Sequence, residues 1–184
     1  MLLACQYLDM QGLKYSYFVN DNRFHGFTLS PEVLRGYLVI AVDFDLVEEL
    51  PALVENDVVV ISIDHHEIQG ILVEEYKDGE LRGIVVNNQY PFEPADNRYQ
   101  SGAGIVYETF CKIDENFKSV EREAIVGITL LSDIRPIENP KAKAYLKTTY
   151  SSDSTRGYIG YLVAAVTKSD FGFGIPRMDR NFID

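Results

Sequence analysis

The chain has few cysteines and no long apolar segment. Its only two cysteines, Cys5 and Cys111, lie far apart within apolar helical patterns. A disulfide framework is therefore not expected, and reduced thiols are typical of the cytoplasm. No apolar run approaches the length needed to span a bilayer, and Met1 is not followed by the basic residues of a signal peptide. We therefore expect a cytoplasmic protein with no membrane partner.

Basic residues are also scarce. The chain has 17 Lys and Arg against 28 Asp and Glu, which gives a formal net charge of −11. A broad nucleic-acid surface needs clustered basic side chains to neutralise phosphates, and here they are spread thinly. Any basic groove must be local or lie outside this chain. Bound divalent cations would offset part of the acidity.

Two apolar runs end in residues that can bind metals. Residues 37–42 lead into Asp43, and residues 58–63 lead into the triplet Asp64-His65-His66. The spacing leaves room for a crossover helix over residues 47–55. Parallel strands joined in this way lie side by side, so a carboxylate and an imidazole could converge on one ion such as manganese. The structural alternative for the triplet is a surface loop that begins with polar residues.

The remaining pattern favours an α/β class: a doubly wound, mostly parallel sheet flanked by helices, with a helix-rich C-terminal half. An Asp78-Gly79 turn predicts a hairpin between residues 70–75 and 81–87. A further strand is predicted over residues 14–19. Helices are predicted over residues 2–12, 101–111, 120–131, 140–150 and 157–168.

Three segments together resemble the DHH phosphoesterase family: Asp43, the triplet Asp64-His65-His66, and residues 127–133 with Asp133 at their end. Within that family the chain is most similar to RecJ-type single-strand exonucleases. The loop 22–27, which contains Arg23, and the glycine-rich helix start 101–106 carry this narrower resemblance.

The resemblance implies a phosphodiesterase in which two divalent metals, Mn²⁺ or Mg²⁺, activate a water. Asp43, His65 and Asp133 would bind the metals. His66 would face the scissile phosphate, and Asp64 would orient a neighbouring imidazole as its catalytic partner. Arg23, Gly102 and Gly104, together with His66, would contact the substrate. The structural alternatives are a solvated loop arginine and glycines that serve close helix packing.

The family also has features that this chain lacks. An Asp-x-Asp motif should precede the first helix, so we expect it to lie upstream of Met1. Residues 175–178 resemble the connector to a C-terminal domain. We therefore expect an N-terminally incomplete DHH-type domain over residues 1–170, followed by the start of a connector over 171–184. A missing C-terminal domain or a protein partner would complete it.

The expected function is the core of a 5′ to 3′ single-stranded DNA exonuclease that is inactive or weak as this isolated chain. One alternative is hydrolysis of short oligonucleotides or cyclic dinucleotides. The other is a non-catalytic module that binds a metal or a protein partner.

Overall fold

The computed structural model describes residues 1–19, 29–67, 74–90, 100–132 and 139–151. Within these ranges the five α-helices are α1 (Leu2–Met10), α2 (Leu50–Glu55), α3 (Gly102–Ile113), α4 (Val120–Ser132) and α5 (Pro140–Ser151). Among the residues described, no helix combines the length and apolar character needed to cross a membrane. The predicted helix 157–168 and the predicted connector 171–184 lie outside these ranges.

Four strands form one open sheet: β1 (Leu38–Val42), β2 (Val59–Asp64), β3 (Glu74–Lys77) and β4 (Glu80–Asn87). Their order across the sheet is β1-β2-β4-β3. Both β1 and β4 run parallel to β2, whereas β3 runs antiparallel to β4. The carboxyl ends of three strands therefore meet at one edge of the sheet, as the α/β prediction requires.

Helices cover both faces of this sheet. Side chains alternate between the faces of a strand, and the two resulting sets pack into separate clusters. On one face, α3 packs against β1 and β2. The strand residues of this face join residues of α1, α3, α4 and α5 in one cluster: Ile40, Val42, Ile61, Ile63 and Val86. The other face packs against α2 through Val39, Ala41, Val60 and Val85. The predicted α/β class is confirmed.

Local turn chemistry follows the sequence closely. Gly12 takes a φ of 67° just after α1 ends, a helix end that favours glycine. Asp78 and Gly79 take φ values of 52° and 79° between β3 and β4, the pair of positive angles that a two-residue hairpin turn requires. The predicted hairpin is confirmed where the structure describes it.

Two predicted elements need correction. Residues 14–19 form no strand, and residues 13–19 are exposed throughout. A strand requires a hydrogen-bonding neighbour, and none of the described residues pairs with this segment. The crossover helix begins at Leu50 rather than at residue 47. The backbone N–H of Val47 instead donates to the Asp45 carboxylate at 2.9 Å, which holds residues 45–47 in a turn.

Gly83 on β4 is needed for the approach of α2. A Cβ atom at this position would lie 2.6 Å from Leu50 Cδ1 and 3.1 Å from Leu50 Cγ. We expect Gly83→Ala to lower the free energy of unfolding by about 1–3 kcal/mol, because the packed core must give way. Leu50→Ala alone should cost about 2–5 kcal/mol through the cavity that it leaves.

The two substitutions should cost less together than the sum of the single variants, since removal of the leucine side chain makes room for the methyl group. Urea denaturation of the four proteins measures this coupling. Strictly additive losses, or a Gly83→Ala variant as stable as the wild type, would contradict the packing described.

Candidate metal centre

The site lies where β1 and β2 end side by side. Val42 pairs with Ile63 in the parallel register, and the next backbone N–H, that of Asp43, donates to Ile63 O at 2.9 Å. The ladder therefore continues as far as the first acidic residue. Asp64 is the last residue of β2, and His65 and His66 follow it directly. These residues therefore leave the sheet at the same edge.

Asp43 and His65 are in direct contact. His65 Nε2 lies 3.0 Å from Asp43 Oδ1; the histidine side chain is buried, whereas that of Asp43 is 60% exposed. The hydrogen bond from His65 lowers the pKa of Asp43, and the charges of both histidines act in the same direction against partial burial. The carboxylate therefore stays ionised with one oxygen already directed at an imidazole.

The backbone at Asp43 adopts an uncommon conformation. Its φ is 60°, in the left-handed region that only a few per cent of non-glycine residues occupy. Such strain persists when the surrounding structure holds it, and it concentrates at functional sites. The left-handed turn at Asp43 ends the alternation of side chains between the two faces of β1. It directs the Asp43 carboxylate to the imidazole of His65.

Asp64 and His66 form the second pair. The Asp64 side chain is fully buried and accepts two hydrogen bonds from His66, one from the backbone N–H at 3.1 Å and one from ring Nδ1 at 2.8 Å. An ionised Asp64 carboxylate can only accept, which would make Nδ1 the donor of this contact. The other ring nitrogen, Nε2, belongs to a side chain that is 61% exposed. This carboxylate–imidazole arrangement is typical of histidines that bind metals.

Strand β4 supports the two histidines from the opposite side. Asn87 Nδ2 donates to His66 O at 3.1 Å, and Gln89 Nε2 donates to His65 O at 3.2 Å. Sequence reasoning missed both residues. The available signal was their place at the carboxyl end of a third parallel strand, the same edge that carries the histidines.

The first turn of α3 lies against Asp43. A Cβ atom at Gly102 would collide with the Asp43 carboxylate, so only glycine permits this approach. Ser101 caps the helix by accepting from the backbone N–H of Gly104 at 3.2 Å. The positive end of the helix dipole therefore favours the ionised carboxylate. Gly104 lies instead against the Gln100 side chain. A cavity of about 240 Å³ opens beside Asp43, and Gly102 and Thr129 are among its lining residues.

The structure therefore brings Asp43, Asp64, His65 and His66 together, with Gly102 beside them. One potential ligand atom from each of the first four lies within 4.8 Å of the others. Asp133 and Arg23 lie outside the described residues, so their predicted roles as metal ligand and substrate contact stay predictions. The roles predicted for Gly104 and His66 at the substrate stay predictions as well.

The donor set fits a divalent cation. Adjacent ligands of an octahedral ion with bonds of about 2.1 Å lie about 3.0 Å apart, and Asp43 Oδ1 and His65 Nε2 are separated by 3.0 Å. An ion that replaced the proton between them would lie off the line that joins the two atoms, so both side chains would turn toward it as it bound. Carboxylate with imidazole, and no thiolate among the four, suits manganese or a similar ion. The cluster could thus hold a metal ion, whose identity the donors alone do not decide.

Similarity to known proteins adds nothing to this geometry. No protein-family model matches the chain, and no curated protein matches it. The cluster itself, and the motifs that its residues form in the sequence, are therefore the basis for assigning a function.

The contact between His65 and Asp43 predicts the titration of the carboxylate. Asp43 should titrate below the ordinary pKa of an aspartate, and His65→Leu should raise its pKa, because the hydrogen bond from His65 is the largest cause of the shift. His66→Leu should raise it less, since His66 acts on Asp43 only through its charge. Titration of the Asp43 carboxyl carbon by NMR measures all three values.

The same shift links the pair to stability. A lowered pKa in the folded state stabilises the fold above the ordinary pKa of the carboxyl, and this contribution disappears as the pH falls through the lowered value. Its size should stay below about 1 kcal/mol, because the Asp43 side chain is largely exposed. An Asp43 pKa at or above the ordinary value would contradict the contact.

Proposed function

We propose that this chain is the core of a metal-dependent phosphodiesterase of the DHH type, slow as an isolated polypeptide. The observation that carries the proposal is the convergence of Asp43, Asp64, His65 and His66 at the carboxyl edge of a parallel sheet. Open α/β sheets build their sites at this edge. The four residues are also among those that carry the resemblance to the family in the sequence.

The four residues of the cluster would have different roles. Asp43 and His65 would hold the divalent ion, Mn²⁺ in the first instance. Asp64 is buried and fixes the ring of His66, so that the exposed ring could face a bound phosphate. When bound, a divalent ion of this kind polarises phosphoryl oxygens and lowers the pKa of a bound water. Asp133, which follows α4 in the sequence, would be a further ligand.

The surroundings of the cluster support a substrate that contains phosphate. The capped start of α3, with Gly102 in contact with Asp43, offers backbone N–H groups and a positive dipole to a phosphate. The acidic chain has few basic side chains for a long polyanion, so Arg23 is the residue proposed to guide single-stranded DNA. Short oligonucleotides or cyclic dinucleotides are the substrate alternative.

Asp43→Asn provides the sharpest test, with Asp45→Asn as the matched control. Both remove one negative charge, but Asp45 makes a turn with Val47 and is not in the cluster. Mn²⁺ affinity measured by calorimetry should fall at least about tenfold for Asp43→Asn and stay close to the wild type for Asp45→Asn. Slow Mn²⁺-dependent cleavage of a 5′-labelled single strand should disappear with Asp43→Asn alone.

Different results of these experiments would contradict different parts of the proposal. No Mn²⁺ binding, or equal losses for the two variants, would overturn the metal centre. Faster cleavage of a dinucleotide than of the long strand would favour the alternative substrate class. Rapid release of nucleotides from single-stranded DNA would contradict the expectation that this chain alone is slow.

A non-catalytic metal-binding module is the second candidate. The net charge of −11 favours it, because an acidic chain binds a cation more readily than a polyanion. Mn²⁺ binding that depends on Asp43, together with no cleavage of either the long strand or the dinucleotide, would support this candidate over the enzyme.

A further inference from the structure

The two edge strands of the sheet differ in how well they are protected against pairing with a further strand. The β3 edge has the sequence Glu74-Glu75-Tyr76-Lys77, with an irregularity in its pairing between Glu75 and Tyr76. Charges and bulges are the devices by which soluble proteins prevent unwanted strand pairing. The β1 edge, Leu38–Val42, has only apolar residues, no proline and a regular pairing with β2. Among the residues that the structure describes, one edge is therefore shielded and the other has no such device.

The backbone of β1 directs half of its polar groups away from β2. Tyr37 O accepts from Val59 N, and Asp43 N donates to Ile63 O, so the odd-numbered residues face β2. The even-numbered residues, Leu38, Ile40 and Val42, therefore direct their N–H and C=O groups to the other side. Among the described parts of the chain, no strand pairs with that side. Leu38 is also 53% exposed.

A strand-forming segment elsewhere in the chain is equally uncovered. Residues 13–19, which we name the arm, follow α1 and are exposed at every position. The arm includes Tyr17, which is 70% exposed, and the exposed apolar neighbours Phe18 and Val19. Contiguous exposed apolar residues are unusual on a monomer and mark sites of association. Aromatic and β-branched residues in this number favour a strand once a partner is present.

We propose that the β1 edge is an interface between two copies of this chain, in which the arm of each copy adds as a strand to β1 of the other. Each copy provides one arm and one edge, so the exchange closes as a twofold dimer with two strand additions. Backbone hydrogen bonds to Leu38, Ile40 and Val42 would supply the pairing, and the exposed side chains of the arm would cover Leu38.

Charge favours a second copy as the occupant. Two chains with a net charge of −11 repel each other over most of their surfaces. Neither the arm nor residues 37–42 contain an acidic residue, and the arm includes Lys14. These two segments can therefore pack together without the repulsion between negative charges that occurs elsewhere on the two surfaces. The proposal does not depend on the metal chemistry.

Sedimentation velocity of the full chain, from micromolar to hundreds of micromolar, tests the proposal. The wild type should show a monomer–dimer equilibrium. Leu38→Lys places a charge on the open edge, and Tyr17→Lys places one on the arm; each should weaken dimerisation at least about tenfold. Leu81→Lys is the matched control, because Leu81 is 45% exposed but lies on β4, which pairs with a strand on both sides. It should leave the equilibrium unchanged.

Hydrogen exchange identifies the pairing itself. The amides of Leu38, Ile40 and Val42 and those of the arm should be protected in the dimer and exchange rapidly on dilution. A monomer at all concentrations would overturn the proposal, as would a dimer that is indifferent to both lysines. Protection of the three β1 amides in a dilute monomer would also overturn it, because a segment of the same chain would then cover the edge.

Discussion

Parallel pairing of β1 with β2 is the constraint on which the site depends. The register that sets Val42 against Ile63 brings Asp43 within 3.0 Å of His65. A slip of one residue would exchange the faces of every β1 side chain, and it would carry the carboxylate away from the imidazole. The packing of the core opposes this slip, because it would exchange Ile40 and Val42 with side chains of different size between two closely packed clusters. The packing that stabilises the core therefore also determines how close Asp43 lies to His65.

The cluster combines a buried half with an accessible half. Asp64 is buried and accepts two hydrogen bonds from His66, while β4 holds the carbonyls of both histidines. Removing a carboxylate from water is costly unless such partners compensate it, so the contacts with His66 stabilise the buried Asp64 side chain. Asp43 and the ring of His66 are largely exposed. A cation or a phosphate can thus reach atoms whose positions are already determined by the interior.

Much of this arrangement could be predicted from the sequence, because it depends on residues that lie close together in the chain. The apolar runs before Asp43 and Asp64 predict adjacent parallel strands, and the Asp78-Gly79 turn predicts the hairpin. Properties that depend on the neighbours of a segment were not predictable in this way. Residues 14–19 have strand-forming residues but no described neighbour to pair with. The left-handed turn at Asp43, its contact with Gly102, and the support from Asn87 arise only when three strands and α3 meet.

The most direct test of the metal centre is the anomalous scattering of manganese in crystals of the protein soaked in Mn²⁺. The account predicts a peak within coordination distance, about 2.1 Å for a hard octahedral ion, of both an Asp43 oxygen and His65 Nε2. Soaked crystals that show no peak there, or a peak bound only by side chains outside the cluster of Asp43, Asp64, His65 and His66, would contradict it.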